Sequence, residues 1–225
     1  MSTTSPTLEP QDNLSSPLTS PMGMTPDVTP TSTASPDPDP KLAASPVTIV
    51  AGYRPGIVGA ALTMHLNFYS KVNGWGIEFE TSAGKSLCEL MTRLHRPKVQ
   101  AWSAVRTVSV PTQNSGMLAQ EQIVGVVFVD GECLGEEGVC RLRAFIVDES
   151  ARGLGAGKAL FGAAMDFARE MGFRECRLST MASLLVARKM YEKEGFEQVS
   201  EEWSETWGVP VMQLHYVWRR DRGQG

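Results

Sequence analysis

The period of the apolar residues changes repeatedly along this chain, and each change marks an element. Thr48 to Tyr53 reads as a first strand, and the Arg54, Pro55, Gly56 turn leads into an amphipathic helix predicted over Ile57 to Ser70. Residues 71–79 form a loop containing Gly and Trp. A second helix is expected from Phe79 to Leu94, where Arg96 and Pro97 break it. Ala101 to Val110 and Gln122 to Asp130 are alternating or continuous apolar runs of strand type. The polar insertion between them, Pro111 to Gln120, reads as a surface hairpin extension. After a turn over Gly131 to Gly138, Arg141 to Val147 is β-branched and apolar enough for a strand. From Lys158 the apolar residues Leu160, Ala164, Phe167 or Ala168, and Met171 recur at helical spacing until Gly172 stops them. Cys176 to Thr180 is a short strand, a helix around Tyr191 follows, and two last strands are expected near Glu197 to Glu205 and Pro210 to Trp218. The order is β-α-α-β-β-β-α-β-α-β-β.

Residues 1–46 break this patterning. They hold ten of the 14 prolines, sixteen Ser or Thr and no aromatic residue. Such a segment buries too little apolar surface to offset the entropy of ordering, so it is expected to be a disordered tail ahead of a domain over 47–220. Its five acids and one lysine account for the whole net charge of −4, which leaves the body neutral. A neutral body offers no field for a nucleic-acid backbone, so no nucleic-acid partner is expected. No signal or transit peptide is recognisable, and the longest apolar stretch, Ile123 to Val129, is strand-sized. No membrane partner is expected, and the expected location is the cytoplasm or the nucleus. Cys88, Cys133, Cys140 and Cys176 lack C-x-x-C spacing and His65, His95 and His215 are scattered. Reduced, packed thiols and no metal are the expectation.

Chemistry concentrates between the strand at Arg141 to Val147 and the following helix. Arg152, Gly153, Leu154, Gly155, Ala156 and Gly157 read RGLGAG, with Lys158 next. Glycines there allow a sharp turn and leave unpaired N–H groups at the positive end of a helix dipole, a setting that suits pyrophosphate. A dinucleotide fingerprint fails because Lys158 stands where the third glycine belongs. A P-loop fails because Arg152 replaces its first glycine and Ala159 its Ser or Thr. The spacing that fits is [Q/R]-x-x-G-x-[G/A], with Arg152, Gly155 and Gly157 in the fixed places. Downstream, Ala187, Met190, Tyr191, Gly195 and Phe196 form A-x-x-M-Y-x-x-x-G-F.

Both motifs, in this order and at about this distance, resemble the GNAT superfamily of N-acetyltransferases. The likeness extends to GNAT domains found fused to MarR-type regulators, through Gly52 to Gly59, Gly74 to Glu80 and Trp203 to Val209. No helix-turn-helix precedes it here. The resemblance implies the GNAT acyl-CoA N-acyltransferase fold, an α/β (α+β mixed sheet) architecture with a mixed, splayed central sheet and helices on both faces. It implies acetyl-CoA as co-substrate and direct acetyl transfer to a primary amine on a small molecule or a protein. The alternative is a CoA-binding regulatory or scaffold module without turnover.

For the site, the resemblance implies that backbone groups of Phe145, Ile146 and Val147 line the pantetheine arm, with the Val147 N–H polarising the thioester carbonyl. The loop residues Arg152 to Lys158 would take the phosphates. Tyr191 would protonate the leaving sulfur, although packing with Leu184 and Ala187 would also account for it. Many relatives carry Asn where Leu184 stands, and Ser183 is a possible helix cap. A base is needed because the amine arrives mostly protonated. Glu80 is the first choice, ahead of Glu78, Glu136 and Glu137. Tyr69, Trp75 and Trp102 are candidates for the acceptor-pocket wall.

Overall fold

The structure, a computed structural model, describes residues 46–112 and 116–220. All but the last residue of the tail expected over 1–46 lies outside these. The elements are β1 (Thr48–Ala51), α1 (Ile57–Asn73), α2 (Ile77–Thr92), β2 (Val99–Pro111), β3 (Met117–Asp130), β4 (Val139–Val147), α3 (Ala156–Glu170), β5 (Glu175–Met181), α4 (Leu185–Lys193), β6 (Phe196–Ser204) and β7 (Val211–Arg219), with one 3-10 turn at Glu149–Ala151. The seven strands form one sheet in the order β1-β2-β3-β4-β5-β7-β6. Every pairing is antiparallel except β4 with β5. The arrangement is α/β: a mixed sheet with four helices among the described residues.

The sheet is covered on both faces, and this explains why β3 reads as a continuous apolar run rather than a clean alternation. Val124, Val127 and Val129 pack with α3 and Tyr191 of α4 on one face, while Val126 and Phe128 pack with Ile57, Ala61 and Met64 of α1 and Leu87 and Leu90 of α2 on the other. Glycines in the left-handed region bound α1, with Gly56 at φ 86 before it and Gly74 at φ 68 after it, the latter donating to Ser70 O.

Several boundaries differ from the expected ones. α1 continues to Asn73 and α2 starts at Ile77, so the connecting loop shrinks to Gly74–Gly76, because Trp75 buries itself rather than extending a polar loop. The described parts of the expected polar insertion belong to β2 and β3, whose pairing still holds at Pro111 and Met117. Backbone pairing does not require apolar side chains, so it carries past the buried part of the strands. α3 begins at Ala156 rather than Lys158, with Gly155 as its N-cap residue. The first helical turn is therefore part of the glycine motif itself.

Candidate active site

β4 and β5 pair only over Val139–Arg141 with Glu175–Arg177, and beyond that the parallel strands part. A V-shaped gap opens between Leu142–Val147 and Leu178–Met181, and it floors a cavity of about 1220 Å³. β4 is bent beside the gap. Val126 pairs with Ile146 and Phe128 with Arg143, so two β4 residues oppose Val127. This is a bulge, and Ala144 within it has φ 48, the one positive φ outside glycine among the described residues. Below the bulge, Cys140 and Leu142 face α3. Above it, Phe145 and Val147 do, with Ala144 and Ile146 on the α1/α2 face. By the same alternation Arg141 lies on the α1/α2 face, and Arg143 does too, since its Nη2 donates to Ser86 Oγ of α2 at 2.7 Å.

At the upper end the glycine motif forms the cavity mouth. Arg152, Gly153, Gly155, Ala156, Gly157 and Lys158 all line it, together with Phe145, Ile146 and Val147. Gly153 and Gly155 sit at φ 79 and 78, and a Cβ on either would meet nothing within 4 Å. The glycines are thus required by backbone conformation, and the space above them is open. Gly155 caps α3, so the N–H groups from Gly155 to Lys158 have no intrahelical partner. The guanidinium of Arg152 lies over the Phe68 ring at 5.1 Å, half-exposed and 3.7 Å from Glu149. The Asp148 N–H donates to Val124 O on β3, so by strand alternation the Val147 N–H points the other way, into the gap. Leu154 is the exception: its side chain is exposed, it lies off the cavity, and its N–H is bonded to Ala151 O.

At mid-cavity Tyr191 is 5% exposed and packs against Phe161 and Phe196. Its hydroxyl has no protein partner among the described residues. Burial, with the nearby Tyr69 phenol, raises its pKa above the ordinary phenol value. Tyr69 is raised to about 12 by burial. Both phenols therefore remain donors at any physiological pH.

Glu80 is not brought to the cavity. It is an exposed residue in the first turn of α2, where acidic side chains suit the helix dipole, and it does not line the cavity. Glu78 is also exposed, Glu136 is engaged by both terminal nitrogens of Arg177 at 2.8 Å, and Glu137 is a surface residue. No Asp or Glu lines the cavity among the described residues. His65 does line it. Its Nδ1 is 2.7 Å from Ala61 O, a carbonyl that only accepts, so Nδ1 carries the proton and Nε2 a lone pair. Burial lowers its pKa, only partly offset by that hydrogen bond, so the ring is neutral at pH 7. His65 precedes Tyr69 by one helical turn, and that i, i+4 spacing was the signal available in the sequence.

The lower end is walled by aromatics. The Trp75 ring lies 4.7 Å from Tyr69, 4.7 Å from Phe79 and 4.6 Å from Trp207. Trp207 comes from the β6–β7 connection, so the segments Gly74 to Glu80 and Trp203 to Val209 meet here. Trp102 does not join them: it is buried on the α3 face against Phe167. Ser183 is not the α4 cap either, because Leu184 occupies that place without a side-chain hydrogen bond. The Trp75 indole N–H is buried without a partner among the described residues, a state that costs about 1–3 kcal/mol. Arg143 is anchored by Asp130 (3.1 Å), which is fully buried and also binds Arg93 at 2.7 Å. Burial alone would raise the Asp130 pKa; the Arg93 hydrogen bond, the Glu132 N–H and Arg143 outweigh it and hold it below the usual carboxylate value.

Comparison with known proteins places this geometry. Residues 91–196 match the Acetyltransferase (GNAT) family model. The uncharacterized N-acetyltransferase YjgM of Escherichia coli is 38% identical over 84 residues, 33% of this chain and 50% of that protein. Human N-acetyltransferase 8B is 31% identical over 113 residues, 47% of this chain and 48% of its own. The chain thus spans about half the length of these curated relatives. Among solved structures, the ribosomal-protein-alanine N-acetyltransferase of Brucella melitensis superposes with a TM-score of 0.56 at 16% identity, over 77% of this chain and 99% of that one. Arabidopsis thaliana NAA60, solved with a bisubstrate analogue, gives 0.53 at 17% identity, over 77% of this chain and 100% of that one. These likenesses show the fold. A kinship with the MarR-fused domains in particular is not among them.

Proposed function

We propose, from a chain with the GNAT fold, that this protein is an acetyl-CoA-dependent N-acetyltransferase acting by direct transfer to a primary amine, with its catalytic domain over 47–220. The observation that carries the reading is that one cavity joins the glycine loop, the splayed β4 edge, Tyr191 and His65. Acetyl-CoA supplies the activated acetyl thioester. Its fit is supported by the open space over Gly153 and Gly155, the unpaired N–H groups of the first α3 turn, and the cations Arg152 and Lys158.

Within this reading each residue has a task. The N–H groups of the loop hold the pyrophosphate, and the free edge of β4 at Phe145, Ile146 and Val147 holds the pantetheine arm. The Val147 N–H, aimed into the gap, donates to the thioester oxygen. His65 Nε2 receives the proton of the attacking amine, directly or through water. Tyr191 donates to the departing sulfur, and its raised pKa keeps that proton available. The MarR-fused kinship belongs to this reading as well, since two of its matched segments build the acceptor wall.

Thiol release from acetyl-CoA with a panel of amines, amino acids and peptides tests the proposal. CoA at a hundredfold excess over Kd is expected to stabilise the fold by about 2.7 kcal/mol, and at least one amine should be acetylated. A CoA-induced shift without turnover on any acceptor would identify a CoA-binding module instead.

A further inference from the structure

Ser179 and Arg141 line the cavity, yet the chemistry above uses neither. Leu178 packs on the α3 side of the sheet, so by alternation Ser179 is on the opposite face, and His215 joins it there because Leu214 and Tyr216 also pack on the α3 side. Ser179 and His215 are direct cross-strand partners on β5 and β7, and Glu202 of β6 lies diagonally beyond His215, which faces Ser200. The sheet register therefore lines up a hydroxyl, an imidazole and a carboxylate across three strands. Ser179 Oγ is 3.0 Å from His215 Nδ1, and His215 Nε2 is 3.1 Å from Glu202 Oε1. A carboxylate only accepts, so in the neutral ring Nε2 carries the proton and Nδ1 a lone pair. The Ser179 hydroxyl then donates to Nδ1. Arg141 Nη2, which only donates, reaches the same hydroxyl oxygen at 3.1 Å.

We infer that Ser179, His215 and Glu202 form a second catalytic site, a serine nucleophile with its base and an orienting carboxylate, which hydrolyses carboxylic esters that enter the cavity. A hydroxyl within hydrogen-bond reach of a base that a third group orients is the arrangement that activates such nucleophiles, whatever the fold. Which ring nitrogen faces the serine does not alter the role, since each is set by the bond the other makes. Only the serine of the three lines the cavity; His215 and Glu202 back it from the sheet. In the reaction Ser179 Oγ forms a bond to the ester carbonyl carbon while its proton passes to His215 Nδ1. The negative charge then gathered on the carbonyl oxygen develops beside the Arg141 cation. The tetrahedral intermediate expels the alcohol, whose oxygen takes the proton from Nδ1. Water attacks the resulting acyl-serine by the same route, giving its proton to His215, which returns it to Ser179 as the carboxylic acid leaves.

The test uses the full chain without CoA, so its result is independent of the acetyltransferase reading. p-Nitrophenyl acetate should be hydrolysed over many turnovers, and a fluorophosphonate should stop that hydrolysis by forming an adduct that peptide mass spectrometry places on Ser179. Ser179→Ala should bring the rate down to that of buffer, and His215→Gln, which removes the base, should lower kcat by about 10²- to 10⁴-fold. Glu202 acts through His215. Glu202→Ala should lower kcat by about tenfold with KM unchanged, and Glu202→Gln, whose amide oxygen still accepts from Nε2, should recover most of that loss. Release that stops after a single turnover, a Ser179→Ala protein as active as wild type, or the absence of a fluorophosphonate adduct at Ser179 would overturn the site. The labelling is read on the wild-type chain, so it decides even where a variant fails to fold.

Discussion

The two ends of the cleft are built on different principles. The phosphate end is backbone: one contiguous stretch in which Gly153 and Gly155 take left-handed conformations and the first turn of α3 offers its N–H groups. The other end is side chain: Tyr69 from α1, Trp75 from the α1–α2 loop, Phe79 from α2 and Trp207 from the β6–β7 connection. Under the proposed function, backbone geometry would recognise what every acyl-CoA shares, and side chains from distant segments would set the choice of acceptor.

The largest way to break the comparison lies between the ends. Tyr191→Phe and His65→Ala should each lower kcat by about 10²- to 10⁴-fold while the CoA melting shift persists, provided chemistry limits the rate. Turnover within about threefold of wild type in Tyr191→Phe would make that ring a packing residue. Asp130→Ala should act on stability instead. Removing the buried partner of Arg93 and Arg143 is expected to cost about 3–5 kcal/mol in denaturant unfolding. Because the folded Asp130 pKa is depressed, its contribution is present above the ordinary carboxylate pKa and is lost as pH falls below it.

Smaller effects sharpen the contrast. Gly155→Val should abolish the CoA-induced shift through backbone strain alone, since φ is 78 and a Cβ there meets no neighbour within 4 Å. Normal CoA binding by a folded Gly155→Val protein would refute the phosphate cradle. Trp207→Ala should raise the acceptor KM by about tenfold and leave CoA affinity unchanged, because the wall loses a ring and the loop loses nothing. The smallest effect is in the pH profile. A neutral His65 with a lowered pKa predicts that the rate is flat at neutral pH and falls only below about 6.5, whereas CoA binding is not tied to this group. On the alkaline side, a phenol raised by burial predicts no decline from Tyr191 until above pH 10.

The same contrast explains what could be read from the chain alone. The conformation of the glycine loop was legible because its determinants are consecutive: the glycine spacing, the flanking strand and the helix period fix it locally, whatever lies elsewhere. The element order and the place of Tyr191 on α4 were legible for the same reason. The sequence also showed that Gly74 to Glu80 and Trp203 to Val209 were distinctive, yet not that Trp75 and Trp207 would stack at 4.6 Å. Only the tertiary structure decided that, along with Glu80 facing solvent and His65 facing the cavity. A side chain's chemistry depends on burial, hydrogen-bond partner and neighbouring charge, and these follow from contacts between segments far apart in the chain. Helical period places His65 and Glu80 on helices, but only packing decides which of the two meets the cleft.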